Sequence, residues 1–513
     1  MLRYTGPNGW WTCRGTPQAR QHGALAAGLE AASRRKVRMV WTLRRRVAAV
    51  VATAVLVWLT VVLHGSPQAS TAVTFSQDIV PILQRSCVTC HRPNGVAPMS
   101  LVTYDDVRPW ARAIRQRTSI GPHAGVMPPW YIEKDIGIQH YKDDPSLSDQ
   151  EIALIGQWVD AGAPPGDLSK APLPKAYDDA VWHIGTPDLI VRSKDLIVTA
   201  NAPDWWGEIE PIPTGLKEDR YVAAVEIKEV NDVDRNGSGR KTVGGRFVVH
   251  HMIYRTQADP SHVDPLDGTD DSVSWPVHEV GRNPDFFDPK AAVPLKAGSY
   301  IVSDSLHLHS NGRDTIAHLE FGFKLMPRGY TPTYKRSRIA LGNGVDIDIK
   351  PMEANQKLHA YAVLTENTKI ISFEPHLHAP GTRMCLEAIW GYNIQTLTCA
   401  GYDHNWVRGY TYGDDAAPLL PKGTILHIIG YMDNTPANRN VADPRNWSGS
   451  GNRSIANMFI DLGNRVSLTD EQFRQEMAER IAANPGRDVI LGCPLCGVIA
   501  KQQNITTRQT QQH

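Results

Sequence analysis

The sequence predicts a multidomain chain: a small all-α domain followed by an all-β pair of antiparallel, jelly-roll-like β-sandwich domains. Three observations lead there. Helical spacing of apolar residues surrounds a CxxCH motif between residues 72 and 166. After a proline-rich linker at 167–180 the pattern changes, and from 181 to 465 short β-type runs alternate with Gly, Pro, Asn and Asp, with no amphipathic helix of note. The third is length, because 513 residues exceed one domain of roughly 100–200 residues. Hydrophobic content of 42% with 21% charged residues excludes a disordered chain and a polytopic membrane protein.

The formal charge of +1 conceals a division. Residues 1–46 carry +9 and the remainder −8. Arg44, Arg45 and Arg46 directly precede the one long apolar run, Val47 to Leu63, and small polar residues follow it. That order describes an export signal over residues 1–70, with Met39 as an alternative start. As a helix the run spans about 25 Å, a little short of a ~30 Å hydrocarbon core. It is therefore expected either to be cleaved or to remain as a membrane anchor through residues 47–63, with the protein periplasmic or otherwise extracytoplasmic. The basic excess belongs to this signal, so no nucleic-acid partner is expected.

The next element is SQDIVPILQRSCVTCH, an amphipathic helix with Ile79, Ile82 and Leu83 on one face running into Cys87, Cys90 and His91. Two thiols three residues apart can add to the vinyl groups of one haem, and the adjacent His then reaches the iron. A zinc or redox CxxC is the alternative, but zinc would want a second ligand pair, and residues 72–170 hold no other cysteine. SLSDQEIALIGQWVDAGAP reads as a closing helix with a Ser148–Glu151 capping box. Helix, CxxCH, loop, Met-Pro and closing helix together resemble a small class I cytochrome c. That resemblance implies a covalently bound c-type haem with a Met as second axial ligand. Met127 in VMPPW matches the position, with Met99 as its rival.

The β-rich region carries histidines in pairs: His250-His251, His307-x-His309 and His376-x-His378. Residues i and i+2 of a strand share a face, so an HxH pair can hold one metal from one side. Adjacent His250 and His251 would point oppositely unless a bulge or strand end turns them. The scattered His262, His278, His318, His359, His404 and His427 read as ordinary surface or hydrogen-bonded residues. Imidazole-rich sites poor in carboxylate suit copper or zinc, and a c-type haem in the same chain favours a redox metal.

The order VVHHMIYR, SLHLHSNGR, EPHLHAPGTRM and SGSGNRSIANMF resembles the copper type II, ascorbate-dependent monooxygenases, the group of peptidylglycine hydroxylase and dopamine β-hydroxylase. The likeness covers roughly residues 180–465 and includes GYDHNWVRGY. It implies two copper ions: one on His250, His251 and His307, the other on His376, His378 and Met458. His309 is the rival for His307, and Met432 the rival for Met458. It further implies that dioxygen activation and C–H abstraction occur at the Met-containing copper, with His376, His378 and Met458 in the catalytic role. The other copper supplies the second electron across a solvent-filled gap. The expected partners are dioxygen and a small-molecule substrate, with ascorbate or a redox protein as donor and the fused haem as a route for electrons. Glu374 stands where peptide-hydroxylating members carry an Arg for the substrate carboxylate, which disfavours an anionic substrate. The family is disulfide-rich, whereas here only Cys385 and Cys399 could bridge within the region; a free buried pair is the alternative.

Residues 466–513 form a tail. SLTDEQFRQEMAERIAANP reads as an exposed helix with a Thr469–Gln472 capping box. Gly497 replaces the His that a second haem motif would need, so Cys493 and Cys496 read as a disulfide ahead of a redox thiol pair or a metal site. KQQNITTRQTQQH is expected to be disordered. Two other functions compete with a monooxygenase: a non-catalytic haem and copper electron-transfer protein, and a copper oxidase or reductase fed by the haem.

Overall fold

A computed structural model describes residues 73–510 apart from 94–96, 98, 176–181, 234–246, 262–271, 281–283, 338–340, 343, 345 and 452–455. The apolar run 47–63 and Cys13 lie outside the described residues. Among the described residues no helix is long and apolar enough to cross a membrane. The described chain is mostly β-sheet, preceded and followed by a few helices.

The first helices are short. A π-helical turn, Phe75–Ile79, continues into Val80–Ser86 and ends at the Cys87 motif; Tyr104–Val107, Ala111–Thr118 and Asp149–Asp160 follow. The expected faces are the buried ones: Ile79, Ile82 and Leu83 pack with Ile155 and Trp158 in one core. Ser148 caps the last helix as expected, its side chain accepting from Glu151 N–H while Glu151 accepts from Ser148 N–H.

Two six-stranded sheets come next. One runs in the order Leu189–Arg192, Thr315–Leu325, Arg220–Asn231, Val293–Leu295, and the other Trp205–Gly207, Tyr300–Leu308, Val249–Gln257, Val273–Ser274. Period-2 alternation sends Phe321 and Phe323 of the first and Met252 and Tyr254 of the second into one core, and register shifts opposite Ala224 and Val222 and between Val302 and Ser305 let Val222, Val225, Ile301 and Leu306 join it. A further set has its own core. Its largest sheet runs Gln356–Val363, Ile425–Met432, Gly381–Trp390, Asn393–Gly401, beside a three-stranded sheet of Leu341–Gly342, Phe459–Asp461 and Pro375–Leu377. Cys385 and Cys399 sit directly opposite on the hairpin and form a disulfide.

Two placements differ from the sequence expectation. Residues 126–141, read as a loop of the haem domain, are built into the second β core: Trp130, Tyr131, Ile132, Ile138 and Tyr141 belong to it. Ile132 bridges to Ala400 and Tyr141 to Tyr412, so this loop ties the helices to the β region. Its apolar residues follow no helical or strand period, which is why the sequence hid the docking. The tail is also less exposed than expected. The helix Asp470–Ala483 keeps its Thr469–Gln472 capping box but buries Phe473, Glu476, Met477 and Arg480. Cys493 and Cys496 form the expected disulfide, and a helix continues from Pro494 to Thr510 through the stretch expected to be disordered.

Candidate metal centre

The strand Val249–Gln257 pairs antiparallel with Tyr300–Leu308. His251 faces His307, yet Leu308 faces Val249, so the ladder slips by one residue at His250. That slip is the bulge which adjacent histidines need in order to share a side. His250 Nδ1 and His251 Nδ1 stand 3.3 Å apart. Among the described residues, His250, His251 and His307 are the one group of three or more His, Cys, Asp or Glu with ligand atoms all within 4.8 Å.

The surroundings hold these rings. Trp206 stacks on His307 at 4.0 Å between centroids and meets His251 edge-on at 4.7 Å. His307 Nε2 lies 3.3 Å from Asp204 Oδ2, while its Nδ1 is buried without a hydrogen-bond partner. His309 turns elsewhere, its Nε2 3.0 Å from the Phe247 carbonyl, so His307 is the ring that joins the group. Burial, then repulsion from His404 and His307, holds His250 down to about 2. Burial holds His251 well below its usual value, and the same cause, opposed by Asp204, leaves His307 at about 4. All three are therefore neutral at pH 7, the form that ligates metal.

The second histidine pair lies in the other β set. His376 is in the strand Pro375–Leu377 and His378 follows it; the rings are 5.4 Å apart. His378 Nδ1 lies 3.0 Å from the Ala456 carbonyl, which fixes the orientation of the ring. Phe459 pairs with Leu377, so Met458, one residue earlier, runs beside His378 by extension of the register. Its rival Met432 is fully buried in the hydrophobic core, where it fills space. An open cleft of about 500 Å³, lined by Asp346, Asp348, Trp447 and Ala456, adjoins the Ala456 segment.

No protein-family model and no curated protein matches this chain. The site therefore rests on its own geometry.

Two further residues stand beside the histidine sets: Glu279, which the sequence reading passed over, and His404, which it took for an ordinary surface or hydrogen-bonded histidine but whose Nδ1 is buried without a hydrogen-bond partner. Glu279 pairs with His251 in the second six-stranded sheet and places Oε1 2.8 Å from His376 Nδ1. It comes from the two-residue strand His278–Glu279, too short for any periodic signal. His404 has its ring centroid 5.5 Å from that of His250 and 6.2 Å from that of His378. Glu374, two residues before His376, is buried, and its N–H donates to Asp461 Oδ1 at 2.9 Å.

At the CxxCH motif, Cys87 and Cys90 are unbridged and partly buried. Burial pushes the Cys87 thiol up to about 12. His91 Nδ1 stands 3.2 Å from the Met99 carbonyl, leaving Nε2 free to reach an iron. Met99 thus serves His91 through its backbone and packs its side chain against the helical core. Met127 is 39% exposed, and its N–H donates to the Arg117 carbonyl.

Proposed function

We propose that this protein is an exported, copper-dependent monooxygenase that hydroxylates a C–H bond of a small organic substrate, fed with electrons through a c-type haem in the same chain. The observation that carries the reading is the bulge at His250, which gathers His250, His251 and His307 with ligand atoms within 4.8 Å. A buried, unpartnered imidazole nitrogen such as His307 Nδ1 costs about 1–3 kcal/mol unless something takes it up. A metal ion fits that donor set. The donors of the second set, two imidazoles and the Met458 thioether, are softer and suit Cu(I). Bound copper would supply one-electron redox chemistry and a binding position for dioxygen.

The remaining work falls to the chain. Trp206 and Asp204 hold His307 in orientation, and the Ala456 carbonyl orients His378. Glu279, the neighbour of His251 in its sheet, also stands 2.8 Å from His376, so the two sets lie close to one carboxylate. The cleft with Asp346, Asp348 and Trp447 offers acidic and aromatic contacts to a substrate. At the CxxCH motif the residues also fit their group: two free thiols for the thioether bonds and a His whose second nitrogen is engaged by a carbonyl. The two β cores and the helices before them support the finer assignment of paired sandwiches behind a cytochrome c-like unit.

The test is oxygen uptake by the full, copper-loaded chain across a panel of small organic amines and neutral aromatics, with ascorbate as donor. Substrate-dependent uptake with a hydroxylated product, lost in Met458→Ile, is the expected outcome. Haem reduction without oxygen uptake across the panel would make the protein an electron carrier instead.

A further inference from the structure

The loop that carries Met127 is held from two sides. On the helical side Met127 N–H donates to the Arg117 carbonyl at 3.2 Å, and the Arg117 guanidinium donates to the Gly125 carbonyl at 3.1 Å. On the other side stands a segment from far along the chain. Asp403 Oδ2 accepts from Gly125 N–H at 3.1 Å across 278 residues, and it lies 3.5 Å from the Tyr131 hydroxyl. Gly125 precedes Met127 and Tyr131 follows it, so one carboxylate oxygen grips both limbs of the loop. Gly401 N–H donates to the Tyr131 carbonyl at 2.9 Å. A Cβ at Gly401 would fall 1.8 Å from the Pro122 carbonyl oxygen, so only glycine permits this approach. Arg408 lies over the Trp130 ring at 5.7 Å. The Met127 side chain stays 39% exposed, so this packing positions the methionine without enclosing it.

Asp403 is itself fixed. Its Oδ1 accepts from Asn405 N–H at 3.0 Å in a local turn, and Asn405 Nδ2 donates to Asn440 Oδ1 at 2.8 Å. Tyr402 N–H donates to the Thr382 carbonyl at 2.9 Å, and the Tyr402 hydroxyl donates to the Leu377 carbonyl, in the strand of His376. The segment that grips the Met127 loop is therefore braced on the second histidine set. Met99 makes the contrast: its carbonyl meets His91 Nδ1, and its side chain packs against the helical core.

We propose that Asp403 is a positioning residue for the haem, gripping the loop on either side of Met127 so that the thioether is held where it can serve as the sixth ligand. Asp403 acts through Met127 and touches neither iron nor substrate. A Met ligand raises the potential of a His-ligated haem, so the grip also sets how readily the haem gives up an electron. The inference rests on the haem reading above, with Met127 as axial ligand. It adds that this ligation is controlled from the β region that carries the second histidine set.

The full chain, matured with haem and loaded with copper, is oxidised and titrated with imidazole while the haem absorption is followed. Displacement of a Met ligand removes the sulfur-to-iron charge-transfer band, and the half-displacement concentration measures how firmly the loop holds Met127. Asp403→Ala should lower that concentration by roughly 10–100-fold, the effect of losing a hydrogen bond to a charged group, and should lower the haem midpoint potential. Asp403→Ser keeps an oxygen for the Asn405 turn but is too short for Gly125, and it should behave as Asp403→Ala does. Asn440→Ala loosens only the Asn405 end of the turn and should match wild type. Wild-type displacement and potential in either Asp403 variant would overturn the proposal, as would an equal shift in Asn440→Ala. An oxidised wild type without the band, or a Met127→Leu protein that keeps it, would overturn the assignment of Met127 itself and the positioning role with it. Should Asp403→Ala fail to fold, Asp403→Ser decides.

Discussion

Removing the charge of Glu476 should loosen the strand that leads into the second histidine pair. Glu476 lies on the helix Asp470–Ala483 and receives Lys290 Nζ at 2.7 Å, Lys369 Nζ at 3.1 Å and the Tyr334 hydroxyl. Lys369 belongs to the strand Asn367–Ile370, which runs on through Ser372–Phe373 to Pro375–Leu377 and His376. Burial alone would raise the Glu476 carboxyl, but the hydrogen bonds from Lys290 and Tyr334 and the charge of Lys369 overcome it, holding it down to about 2 from 4.5. At about 1.4 kcal/mol per pKa unit that difference is worth ~3 kcal/mol at most. Lys290 is 41% exposed, so solvent screening trims the figure to about 2–3 kcal/mol. A depressed carboxylate stabilises above its unfolded value, so the contribution is complete above about 4.5 and disappears as pH falls toward about 2. Hydrogen exchange on the amides of residues 470–483 and 367–370 measures it. Glu476→Gln should lower their protection by about 2–3 kcal/mol at neutral pH, and the gap to wild type should close on acidification. Equal protection at neutral pH would refute the reasoning.

Other consequences are open to measurement. Trp206→Ala strips the stacked face from His307 and should weaken copper binding at the first set by roughly 10–100-fold, the usual effect of losing an orienting neighbour, read by competition with a chelator. Cys385→Ser with Cys399→Ser opens a cross-strand loop and should cost about 3 kcal/mol, seen as a lower urea midpoint with copper content unchanged. Cys87→Ser with Cys90→Ser should abolish covalent haem in the pyridine haemochrome assay while leaving both coppers in place. Met432→Leu, a swap within a packed core, should keep oxygen uptake that Met458→Ile loses.

Much of the fold was legible because it is local. Both capping boxes, the buried helix face of Ile79, Ile82 and Leu83, and the β character after residue 181 follow from short-range pattern. The site was legible where its chemistry is written in pairs. His250 beside His251 demanded a bulge, and the ladder slips there. What escaped depends on contacts remote in sequence. Glu279 and His404 carry no spacing signal, and each acquires its place only when distant segments bring it against His376, His250 or His378. Trp206 likewise reaches His307 from a three-residue strand about a hundred positions earlier. The burial of the loop 126–141 was missed for the same reason: its partners, Ala400 and Tyr412, lie more than 250 residues away.

The most direct test of the central claim is the metal inventory of the full chain, with copper and haem counted on the same sample. Two coppers and one haem per chain are expected, with one copper lost on changing His251 and His307 to Ala and the other on changing His376 and His378 to Ala. A wild-type chain that binds one copper or none, or a His376→Ala, His378→Ala protein that still holds two, would contradict the account.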